Sequence, residues 1–95
     1  MAVHPTLDEW IARDAIPFAL DTPASLDSAT DRLIAELSPD VELLALGEAL
    51  HGSEEILLLR NRVFQRLVRQ HGYSAVVIEV TSPQARAINE YVLGQ

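Results

Sequence analysis

The chain reads as an α/β protein: N-terminal helices, then a β-α-β unit with parallel strands. Three observations predict it. Residues 41–46 and 74–80 are apolar, nearly uninterrupted runs, as expected of strands covered on both faces. A strongly amphipathic stretch separates them, long enough for a right-handed crossover helix. Each run ends in a carboxylate, Glu48 and Glu79, which that topology delivers to one sheet edge.

The elements follow in order. Leu7, Trp10, Ile11 and Ala15 have helical spacing, which predicts a short helix over 7–16 ended by Pro17. Residues 21–25 read as a loop. A second helix is expected over 26–37. Leu26, Ala29, Leu33, Ile34 and Leu37 form its apolar stripe, with Asp27, Asp31 and Glu36 opposite. Ser38-Pro39-Asp40 stops it, and the first strand follows. Gly52 and Ser53 open a third helix running to about Gln70. Glu54 and Glu55 lie at its positive end and Arg66 and Arg69 at its negative end. Gly72 suits the left-handed position after the helix. Ser82 and Pro83 form an N-cap and N1 pair for a last helix, which Gly94 stops. Residues 1–40 thus form a helical segment and 41–95 a β-α-β-α unit. Two strands make an unfinished sheet, so the chain reads as the N-terminal part of a larger α/β domain or as one that completes its sheet with a partner.

Composition narrows the function. The 95 residues carry a net charge of −7, and every basic residue is Arg. Such a balance argues against nucleic-acid and anionic-membrane surfaces, which need clustered positive charge. There is no cysteine, which excludes disulfides and thiolate metal sites. With no signal-like N-terminus and no membrane-length apolar run, the expected compartment is the cytoplasm.

Chemistry concentrates after the first run, at Gly47-Glu48-Ala49-Leu50-His51-Gly52. His51 falls where a helix N-terminus disfavours the imidazolium, leaving the neutral form that a general base needs. A surface loop histidine is the other reading. Glu48, three residues earlier, is either the carboxylate that orients His51 or an exposed loop acid. Arg60 is the anomaly of the third helix. At about 100° per residue it sits amid the face of Ile56, Leu59, Val63, Phe64 and Leu67, whereas Arg62, Arg66 and Arg69 share the opposite, solvated side. An arginine on an apolar face needs a partner, for which Glu48 and Glu79 qualify, or it snorkels to solvent. Glu79 is either a structural charge or part of the same site. His4 and His71 read as terminal and helix-end residues, and Trp10 and Tyr91 as packing residues. No phosphate-binding glycine loop or nucleophile elbow is present, so attack by activated water is favoured.

These residues resemble the erythromycin esterase family. The family opens with G-E-x-x-H-G, matched at 47–52. An arginine follows in the next helix, matched by Arg60, then G-[FY]-x-x-[VI]-x-[IL]-E, matched at 72–79. Pro83, Asn89, Tyr91, Val92 and Gly94 look like the family's next segment. The resemblance implies hydrolysis of a macrocyclic lactone ester without a covalent intermediate. His51 would act as general base and Glu48 would support it, with Arg60 and Glu79 in the same polar cleft. No cofactor or metal is expected, and the partner is a small-molecule ester. Two departures stand out. Val80-Thr81-Ser82-Pro83 replaces the family's acidic-aromatic-proline stretch, and family members are several times longer, with a further active-site histidine downstream. The alternatives are a truncated, non-catalytic module that dimerises through its open sheet edge, and a metal-dependent hydrolase using Glu48, His51 and Glu79.

Overall fold

The computed structural model describes residues 3–48 and 52–95. Four helices appear in order: α1 (Leu7–Asp14), α2 (Pro23–Glu36), α3 (Glu54–Gln70) and α4 (Ser82–Val92). There is no strand among the described residues. This corrects the expected α/β class and its β-α-β unit. Residues 41–46 and 74–80 have the composition of buried strands, but a strand is held by ladder hydrogen bonds to a neighbour. Among the described residues no backbone hydrogen bond joins one run to the other. Two strands are in any case marginal without further partners. The expected open sheet edge is absent with them.

The helices follow their local signals closely. Thr6 caps α1 through a reciprocal box: Glu9 N donates to Thr6 Oγ1 at 3.2 Å and Thr6 N donates to Glu9 Oε2 at 2.7 Å. The helix ends at Asp14, before the expected Ile16. Ala15 is already extended, and the residue preceding Pro17 is itself biased away from helical angles. In α2, Pro23 stands in the first turn. The expected loop over 21–25 is therefore partly helix, because proline's missing N–H is no loss there. Ser53 Oγ accepts from Ile56 N at 3.5 Å at the start of α3. Thr81, one residue earlier than expected, is the N-cap of α4.

The core is small. Leu26 and Leu67 are the buried hydrophobic residues, joined by Thr30, whose hydroxyl donates to Leu26 O at 2.9 Å. These three come from α2 and α3, the one pair of helices packed together among the described residues. Trp10 is 51% exposed and Tyr91 85% exposed, so neither packs as the sequence suggested. Among the described residues, their helices, α1 and α4, have apolar faces that meet no other helix. The accessible surface is 8279 Å², against roughly 5400 Å² for a folded monomer of this mass. The radius of gyration is 16.9 Å, against about 12 Å for a compact chain of this length.

Candidate functional site

Gly52 adopts φ 82°, a left-handed conformation that a side chain would strain. It turns the chain into Ser53, the cap of α3, so the second glycine of the 47–52 motif has a backbone role. Beyond it, the first two turns of α3 carry Arg60 past the motif. Arg60 Nη1 lies 3.9 Å from Glu48 Oε1, with the two side chains 40% and 30% exposed. That separation is an ion pair rather than a hydrogen bond. Of the partners considered for Arg60, the structure brings Glu48 to it.

The first run, 41–48, lies back along α3. Val41 shares a small cavity with His71 and Tyr73 at the helix's C-terminal end, and Glu48 reaches Arg60 near its middle. The second run, 73–80, leaves α3 through Gly72 at φ 75°, with Tyr73 N donating back to Leu67 O at 3.3 Å. The two runs and α3 line one open cavity of about 1490 Å³. Glu48, Arg60 and Glu79 all stand on its wall, among Leu44, Leu46 and Ile78. Three of the four expected site residues thus face one space. His51, the fourth and the expected base, lies outside the described residues. The metal-ligand set of Glu48, His51 and Glu79 includes it and so falls outside them too.

A second polar cluster went unrecognised in the sequence. Asp31 on α2 accepts from Arg66 at both carboxylate oxygens, 2.9 Å from Nε and 2.6 Å from Nη2. Its Oδ1 also lies 2.7 Å from His71 Nε2. The bidentate guanidinium, then the imidazole, hold the Asp31 carboxyl far below the usual carboxylate range, against a smaller opposing effect of desolvation. Arg66 is raised in turn, chiefly by its hydrogen bonds to Asp31. Arg66 is therefore a helix-to-helix tie, not one of three solvated arginines, and His71 is more than a helix-end cation. No spacing within either helix announces this. Asp31 adjoins Thr30, but the burial of Thr30 emerges only in the folded chain, so the sequence carried no signal for the cluster.

Among the described residues, no helix is long and apolar enough to cross a membrane. No family model matches the chain, and no solved structure matches it. Among curated proteins, erythromycin esterase type II of Escherichia coli is 28% identical over 89 residues. The aligned region takes in 93% of this chain and 21% of that protein. The chain therefore spans about a fifth of the length of this relative.

Proposed function

We propose that the chain carries part of the site of a hydrolase of carboxylic esters, of the erythromycin esterase kind. The Glu48–Arg60 ion pair on the wall of the cavity is the observation behind this reading. The partial similarity to an erythromycin esterase supports it, and that relative's substrate suggests a macrocyclic lactone.

In this reading His51 takes a proton from water as the water attacks the ester carbonyl. Attack places negative charge on the carbonyl oxygen, and a guanidinium is suited to stabilise it. Arg60 has that role. Glu48 holds Arg60 in place and stabilises the imidazolium formed at His51. Collapse of the tetrahedral species expels the alkoxide, which takes the proton from His51, giving acid and alcohol. Glu79 contributes polarity in the same cavity.

The test is lactone opening by the protein carrying this sequence, followed by mass spectrometry of the ring-opened acid. A general base contributes on the order of a hundredfold or more. His51→Ala should therefore lower turnover by at least that factor while leaving the helical circular dichroism unchanged. Parental turnover in His51→Ala overturns the proposal.

A further inference from the structure

Helices α2 and α3 each end in a tight turn, and the two turns meet at one side chain. After α2, Asp40 N donates to Ser38 Oγ at 3.3 Å and Val41 N donates to Ser38 O at 3.1 Å. After α3, Gly72 turns the chain at φ 75° and Tyr73 N donates back to Leu67 O at 3.3 Å. His71, the C-cap of α3, stands between these turns. It lines the small cavity together with Ser38, Val41 and Tyr73, and its Nε2 lies 2.7 Å from Asp31 Oδ1 on α2. An ionised carboxylate only accepts, so the imidazole donates to it from Nε2. The His71 side chain is 19% exposed, more enclosed than either Asp31 or Arg66.

Among the described residues no backbone hydrogen bond joins run 41–48 to run 73–80, so each takes its course from the turn it leaves. Glu48 stands seven residues beyond Val41, and Glu79 stands six beyond Tyr73. Two runs of nearly equal length that leave one joint carry their carboxylates to one cavity, whose wall they share with Arg60. We infer that His71, tied to Asp31, is the joint of the two runs and a positioning residue for Glu48 and Glu79. The apolar neighbours at the joint, Ile34, Leu37 and Val41, cannot do this alone. Apolar contact is non-directional, whereas a hydrogen bond fixes the orientation of the ring as well as its place. The joint is independent of the esterase reading, and its consequence for catalysis rests on that reading.

The chain has no cysteine, so Leu43→Cys and Val77→Cys together take two nitroxide spin labels, one on each run. Both side chains are exposed, by 81% and 91%. Spin–spin distances between the labels report the spacing of the runs. With the joint intact, one distance should dominate. His71→Leu keeps apolar bulk but cannot donate. It should replace that distance with a broad range while the helical circular dichroism persists. His71→Gln can donate to Asp31 from its own Nε2 and should restore the single distance. Trp10→Ala, on α1, should leave it unchanged. Lactone opening by the unlabelled variants should follow the same order. In His71→Leu, kcat should fall by about tenfold or more with KM little changed, and His71→Gln should recover it. A broad range with the joint intact overturns the inference, and so does the single distance in His71→Leu. If His71→Leu unfolds, a folded His71→Gln decides alone: the single distance supports the joint and a broad range overturns it. A spacing that responds while the kcat of an active protein does not overturns the positioning role. A protein that opens no lactone overturns the esterase reading instead, and the spin distances still decide the joint.

Discussion

Asp31 and Arg66 join α2 to α3 through two hydrogen bonds of 2.6 and 2.9 Å between one carboxylate and one guanidinium. His71 completes the tie from the C-terminal end of α3, 2.7 Å from the same carboxylate. Beside so small an apolar core, this polar clasp fixes how the two helices meet. Asp31→Asn should lower the thermal midpoint measured by circular dichroism. Arg66→Ala should lower it too, and the double variant should fall by less than the two losses added together, because each single change already disrupts the shared bonds.

The same clasp sets an acid limit. The Asp31 carboxyl is depressed in the folded chain by Arg66 and then His71, so its contribution is fully present above the unfolded carboxyl value, about pH 4. It is lost as pH falls below that value towards the folded one. Helix packing followed by near-ultraviolet signal should therefore weaken progressively below about pH 4. In Asp31→Asn that part of the acid loss should disappear, leaving the remaining carboxylates to set the slope.

With Leu26 and Leu67 as the buried apolar side chains, either is costly to truncate. Leu67→Ala should cost about 2–4 kcal/mol, read from urea denaturation, and that is enough to abolish a cooperative transition in a domain with so little core. Val77→Ala, at a position 91% exposed, should leave the single chain's stability within about 0.5 kcal/mol of the parent.

Arg60 separates function from stability. It stands among apolar neighbours on α3 and its ion pair with Glu48 is long and partly exposed. Such pairs contribute little to stability, about 0–1 kcal/mol. Arg60→Leu should therefore leave the melting temperature unchanged or raised, while abolishing lactone opening in the proposed mechanism. A variant that melts lower and hydrolyses at the parental rate would reverse both expectations.

Much of the local structure was legible in the sequence because its causes are local. Helical periodicity located α1 and α2, cap and stop residues located α3 and α4, and Ser53 and Gly72 bound α3 as their side-chain and backbone chemistry requires. The anomaly of Arg60 was visible from the wheel of α3, and so was its need for a carboxylate. The two apolar runs misled for the same reason. Composition records what a strand would bury, whereas a strand exists only when another backbone supplies its hydrogen bonds, and the described residues supply none between 41–48 and 73–80.

By itself, then, the sequence determined that four helices form and about where each lies, since caps, prolines and left-handed glycines act within a few residues of where they stand, although α1 ends two residues early and α2 begins three residues early. It also placed Glu48, His51, Arg60 and Glu79 as the candidates for chemistry. Only the tertiary structure decided that Glu48, rather than Glu79, meets Arg60. It alone showed that Asp31 turns toward α3 to hold Arg66 and His71, and that Trp10 and Tyr91 face solvent. The Asp31 contacts depend on how one helix lies against another across 35 to 40 residues of chain. No pattern within a single helix encodes that distance.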